Sequence, residues 1–154
     1  GQEYWAATVL DNGGTNRAIS EQLMQQAFDA PAENSAGEVS LVIGGFGVRR
    51  AYQGLLTSLK RYVNTMQLEG GFSALEYNGK PFTVDKDCPP NRIFFLDESH
   101  LALYELAPPD WMQQDGKILK WDGNVGYKAV YEYFCNLGTD LRGAHAVLAD
   151  ITEQ

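Results

Sequence analysis

Residues 70–97 read GGFSALEYNGKPFTVDKDCPPNRIFFLD, and the fold turns on how this stretch pairs with itself. Side chains alternate over 72–77 and again over 81–85, on either side of Asn78-Gly79. A two-residue hairpin whose twist matches its strands needs positive φ at both central positions, which Asn and Gly adopt cheaply. The pair therefore predicts a type I′ turn. Asp87-Cys88-Pro89-Pro90-Asn91 interrupts the pattern, and Arg92-Ile93-Phe94-Phe95-Leu96 resumes it with strong β-formers. The expectation is a three-stranded meander on which upstream helices pack, with no catalytic group needed to explain it.

Working upstream, Ser20 is placed as an N-cap, with Ile19 and Met24 positioned as a hydrophobic staple. Leu23, Met24, Ala27 and Phe28 recur at helical spacing, which predicts a first helix over 21–30 that stops at Pro31. Val39, Leu41, Val42 and Ile43 form a buried strand ended by Gly44-Gly45. From Val48 an apolar stripe through Tyr52, Leu55, Leu59 and Tyr62 or Val63 predicts a second helix over 47–64. Before these lies a short apolar run, residues 6–10, followed by the turn Asp11-Asn12-Gly13-Gly14. The opening Gly1-Gln2-Glu3-Tyr4-Trp5 reads as a cut end of a longer protein.

Downstream, residues 99–106 read as extended, Pro108-Pro109-Asp110 as a break and 111–116 as a loop, with a strand over 118–121. Residues 127–134 and 144–151 both alternate, and the expectation is that they pair as a hairpin in a smaller β element. The fold class is thus α+β: two helices packed on a mixed sheet with a β-hairpin meander, plus that smaller C-terminal element.

The 154 residues are enough for one full core. Residues 1–96 hold ten acids and eight bases, whereas 97–154 hold ten acids and four bases, together a net charge of −8. An acidic surface repels phosphate and argues against tight electrostatic binding of nucleic acid. Two cysteines, Cys88 and Cys135, make no disulfide framework and no metal spacing, so two reduced thiols are expected.

Three stretches invite chemistry. Asp11-Asn12-Gly13-Gly14-Thr15 after an apolar run resembles the first phosphate-binding hairpin of actin-like sugar kinases, but a second phosphate motif is missing and a glycine turn after a strand is common. Gly44-Gly45-Phe46-Gly47 precedes a helix yet lacks the lysine and hydroxyl of a phosphate loop, so the glycines are read as a sharp strand-to-helix turn. His100 and His145 stand far apart with no i, i+4 partner, which is poor zinc spacing, and His145 reads as a packed side chain bonded at its tip. No catalytic, cofactor or metal residue is assigned. Arg49, Arg50, Lys60 and Arg61 on the second helix, and Trp111 beside Pro108-Pro109, are the candidates for contact with a partner.

The order of these parts resembles a tailed-phage major capsid protein, the family that builds the Hong Kong phage type of capsid fold. The resemblance rests on Ala18-Ile19-Ser20 with the first helix, the strand over 39–43 and Gly47-Val48-Arg49-Arg50-Ala51-Tyr52. It continues through Gly70-Gly71-Phe72 with the Asn78-Gly79 hairpin and the ending Arg142-Gly143-Ala144-His145-Ala146-Val147.

The resemblance implies that residues 18–97 are axial-domain-like and that 1–17 and 98–154 are peripheral-domain-like. The family's N-terminal arm, extended loop and spine helix lie upstream of such a C-terminal fragment, which alone would be monomeric or weakly associated. It further implies a non-enzymatic coat subunit that self-assembles as hexamers and pentamers into an icosahedral shell. That shell would enclose DNA without specific recognition, as a virion capsid assembled in the bacterial cytoplasm. An encapsulin-type compartment subunit shares the fold and is the alternative within this class. A nucleotide-phosphate-binding enzyme using Asp11 to Thr15 is the alternative from another class, and an interaction module unrelated to viruses is a third.

Overall fold

The computed structural model describes residues 5–58, 65–67, 73–114, 117–120 and 125–154, without side-chain detail for 58, 65–67, 73–74, 114 and 117–120. Two units emerge, one from residues 1–100 and 140–154, the other from 101–139. In the first unit, β1 (Thr8–Leu10) is followed by α1 (Glu21–Asn34), β2 (Leu41–Gly44) and α2 (Phe46–Ser58). Strands β3 (Thr65–Gln67), β4 (Ser73–Tyr77), β5 (Lys80–Val84) and β6 (Ile93–Leu96) come next. The second unit holds β7 (Leu101–Trp111), β8 (Gln113–Gln114), β9 (Lys117–Lys120), β10 (Tyr127–Lys128) and β11 (Tyr131–Thr139), before β12 (Ala146–Leu148) closes the chain.

Asn78 and Gly79 both carry positive φ, 47° and 75°, and join β4 to β5 as the type I′ reading requires. The third strand does not follow them in the sheet. The order is β1-β12-β6-β2-β5-β4-β3, so β2 inserts between the hairpin and β6, parallel to β5 and antiparallel to β6. The expected meander is therefore split by a central strand. Burial explains the choice: Val42 is fully buried between Phe82 and Phe95, its register partners on the two sides. The row Leu75, Phe82, Val42, Phe95, Ala146 crosses five strands on one face, every member buried, while Ile43, Thr83, Phe94 and Val147 on the other face are only half-buried.

Both helices belong to the same core. Ser20 caps α1, its Oγ accepting the Leu23 N–H at 3.3 Å, and Ile19 and Met24 are both buried. The helix runs through Pro31 to Asn34 instead of stopping. Pro31 is itself buried, and the next turn is closed by the Ser35 N–H and Oγ–H, which both donate to the Pro31 carbonyl. In α2, Val48, Ala51 and Tyr52 are buried; the expected continuation to residue 64 lies outside the described residues. Tyr77 of the hairpin sits edge-on to Phe28 of α1 at 5.6 Å and to Tyr52 of α2 at 6.0 Å, and Phe28 and Tyr52 reach on to Phe95 and Phe82.

The C-terminal pairing departs from expectation. Residues 127–134 and 144–151 do not form a hairpin: β11 pairs antiparallel with β7, and β12 lies between β1 and β6 in the first unit. Residues 8–10 and 146–148 are thus strands of one sheet with strands from 18–97. The physical reason is burial, since Ala146, Leu148 and Ile151 are fully buried under α1 and the sheet.

Pro108-Pro109 does not end the extended run either. The register passes from Asp110↔Glu132 to Ala107↔Phe134, so the two prolines face a single residue, Tyr133, across a bulge where no ladder N–H is required. Trp111 ends β7, and Gln113-Gln114 forms a short strand where a loop was expected. In this unit β8, β9 and β10 make a separate three-stranded sheet.

Candidate interaction surfaces

The turn Asp11 to Thr15 follows β1, as the phosphate-loop reading requires, but its amides are already spent. The Asp150 carboxylate Oδ2 accepts the N–H groups of Asn12 at 2.7 Å and Gly14 at 2.9 Å. Asp11 accepts from Gly13 N, and Thr15 N donates to the Asn12 carbonyl. These two amide bonds, against the opposing effect of burial and with Arg17 and Arg92 nearby, hold the Asp150 carboxyl below the usual carboxylate range. A carboxylate of the chain itself fills the site a phosphate would need.

The glycines at 44–47 make room. Gly44 ends β2 against the Phe82 ring, and a Cβ on Gly47 would lie 2.5 Å from a Glu153 carboxylate oxygen. The C-terminal segment crosses here, its Gln154 N–H donating to the Gly47 carbonyl and Glu153 Oε1 accepting from Asn91 N. The glycines make room for a C-terminal strap.

His145 is buried, its Nδ1 accepting the Asp97 N–H at 3.2 Å, and burial pushes its pKa down against the opposing pull of Asp97 and Asp140. Burial also acts to raise the Asp97 carboxyl, but bonds from the Ser99 hydroxyl, the Glu38 N–H and the Ser99 N–H, with His100 nearby, outweigh it and leave the pKa low. His100 Nδ1 lies 2.9 Å from Asp140 Oδ1. Among the described residues no group of three or more ligating side chains is placed to hold a metal ion. The cluster is structural polar packing around a buried acid.

The predicted contact residues separate. Arg49 and Arg50 open α2, the Arg49 guanidinium 5.5 Å from the Phe46 ring centre and Arg50 Nε donating to the Gln154 carbonyl. Lys60 and Arg61 lie outside the described residues. Trp111 ends β7 in the second unit, half-exposed and edge-on to Tyr131 at 5.0 Å. Cys88 is half-buried, its thiol pushed up by burial and by Asp85 and Glu153, and Cys135 is exposed; both are free.

The pairing that sequence reasoning missed is the β7–β11 ribbon. It exposes Leu103, Tyr104, Leu106, Trp111, Tyr131, Tyr133, Phe134 and Leu137, eight large apolar side chains on two strands. Period-two alternation divides them between both faces, with 131, 133, 135 and 137 on one and 132, 134 and 136 on the other. Large exposed apolar patches mark surfaces that another molecule covers. The signal was present in the alternation of 127–134, but that run was paired with 144–151 instead of with 101–111.

No family model and no curated protein sequence matches the chain. Among solved structures it is similar to the holo-SrpI encapsulin complex from Synechococcus elongatus PCC 7942, with a TM-score of 0.66 and 18% identity over 94% of this chain and 53% of that one. It is also similar to the capsid asymmetric unit of cyanophage A-1(L), with a TM-score of 0.65 and 15% identity over 94% of this chain and 52% of that one. The chain spans about half the length of each. Two helices on a mixed multi-strand sheet, in this order, are the fold shared with a phage capsid and an encapsulin.

Proposed function

We propose that the chain is the capsid-fold part of a shell subunit, and specifically of a tailed-phage or prophage coat that encloses DNA. The observation that carries the shell reading is the β7–β11 ribbon, which a monomer would leave with both apolar faces in water. A two-stranded ribbon is marginal by itself, and neighbouring copies supply the missing cover. The fold likeness to two shell proteins supports the same reading. On it, residues 18–97 cluster around the five-fold and six-fold axes, and copies of the chain are the main partners.

The acidic balance favours DNA as contents over DNA as ligand. A wall with net charge −8 per chain gives no dense row of phosphate contacts, so packed DNA is not held at fixed positions. An encapsulin-type compartment is the second reading, favoured by the likeness to the encapsulin complex. A nucleotide-binding enzyme at Asp11 to Thr15 is disfavoured by the Asp150 carboxylate already seated there.

Electron microscopy of the longer parent protein, expressed alone, tests the reading. Uniform closed shells are expected, and their contents, nucleic acid or protein, separate a coat from a compartment. Dispersed small particles that persist when the parent is co-expressed with its neighbouring genes overturn it.

A further inference from the structure

One side of the ribbon carries a feature that apolar cover alone does not explain. Asp110 and Glu132 are direct cross-strand partners, so two like charges stand opposite each other at one end of the ladder. Such a rung is destabilising unless a cation meets it. Asp110 Oδ1 accepts its neighbour's Trp111 N–H, and among the described residues neither carboxylate has a basic partner. Next to the rung, on the same face, lies Phe134 opposite Ala107, followed by Tyr104 opposite Asn136; both aromatics are more than half exposed.

The start of α2 presents the opposite composition. Phe46 is exposed, the Arg49 guanidinium lies over its ring and Arg50 is exposed beside it. The nearby acid, Glu153, is engaged with Asn91 N, and among the described residues Arg50 donates only through its Nε, leaving its outer guanidinium nitrogens to meet a carboxylate. An aromatic flanked by two cations thus answers an aromatic flanked by two anions.

We infer that copies of this chain meet head to tail, the Phe46–Arg49–Arg50 patch of one seating on the Asp110–Glu132–Phe134 face of the next. The inference rests on the shell-subunit reading and names the contact that reading requires. The two patches differ, so the contact is heterologous and propagates from copy to copy, closing into a ring where the rotation allows. Its charge pairs weaken as salt screens them.

An amide NMR concentration series on the isotope-labelled chain at low salt, from tens of micromolar to one millimolar, tests it. Shifts are expected at residues 46–50 and at 104–110 and 132–136, diminishing on addition of salt. Arg50→Glu alone and Glu132→Arg alone each abolish them, with core amides such as those of Val42 and Phe95 unmoved. The doubly substituted chain regains them. No shift at one millimolar, shifts confined to other residues, or a double variant that stays monomeric while both single variants lose association overturns the inference. Closed shells from the parent protein with shifts elsewhere would remove this contact and leave the shell reading. Shifts here without shells would do the reverse.

Discussion

The sheet unit and the ribbon unit are written with similar alternating apolar strands, yet they dispose of them in opposite ways. In the first, Phe82, Phe95, Ile93, Val42 and Leu148 lose essentially all contact with water beneath two helices. In the second, among the described residues, no large apolar side chain is buried; Leu137 keeps 65% of its surface and Leu106 84%. Alternation therefore announces a strand with one apolar side but says nothing of what covers it. A matched pair of truncations separates the two units most strongly. Phe95→Ala empties a filled site and is expected to cost about 3–5 kcal/mol. Leu137→Ala removes side chain already in water and should stay within about 0.5 kcal/mol in the isolated chain. Urea denaturation of both variants checks this, and equal losses would mean that the ribbon is covered within the chain itself.

Two glycines probe how tightly the sheet unit is closed. A Cβ on Gly37 would stand 2.5 Å from the Ala144 Cβ and 2.6 Å from its Cα, where the backbone before β2 crosses the 3-10 turn Arg142–Ala144. Gly37→Ala is expected to cost about 1–3 kcal/mol by forcing those segments apart. Gly79 has open space around it and is needed only for its φ of +75°. Gly79→Val should therefore cost less, about 1–2 kcal/mol, through backbone strain alone. An unchanged urea midpoint in either variant would show that the close approach, or the positive φ, is not a constraint on the fold.

Local chemistry made some elements legible in the sequence and left others hidden. Asn78-Gly79 states its turn, Ser20 states its cap, and Gly44 to Gly47 state a strand-to-helix break, because each requirement is met by the residues that carry it. Strand order is different: β2 enters between β5 and β6 because Val42 packs against Phe82 and Phe95. That preference is visible only once all three are placed. The β7–β11 pairing was hidden for a related reason. Residues 131–139 alternate as well with 101–111 as with any other strand, and Pro108-Pro109 reads as a stop until a bulge accommodates it. Of the candidate surface, the basic residues at 49–50 and the aromatic at 111 were legible from composition. The Asp110–Glu132 rung was not, since register alone creates it. Asp150, which closes the turn at 11–15 from more than a hundred residues away, was invisible for the same reason.

The smallest expected effect separates the units by pH instead of by packing. In the sheet unit, burial lowers the His145 pKa, so the unfolded chain binds a proton more readily than the folded one between the two values. Stability from this residue is complete above the ordinary histidine value of about 6.5 and is lost as pH falls below it. Asp97 and Asp150, both lowered, continue the loss further into acid, below about pH 4, where carboxylates begin to protonate in the unfolded chain. In the ribbon unit the sign reverses: Tyr133, whose hydroxyl donates to Glu105, has its pKa raised by that bond. Its contribution is present below the ordinary tyrosine value of about 10 and disappears as pH rises through the folded value. Amide exchange resolved by unit, followed from acid to alkali, should thus show the sheet opening first at the acid end and the β7–β11 rungs near Glu105 first at the alkaline end. His145→Asn keeps an acceptor for the Asp97 N–H but cannot take up a proton, so it flattens the acid slope of the sheet near pH 6 without changing the alkaline slope of the ribbon. Tyr133→Phe does the converse. A single variant that altered both slopes would show that the two units open as one.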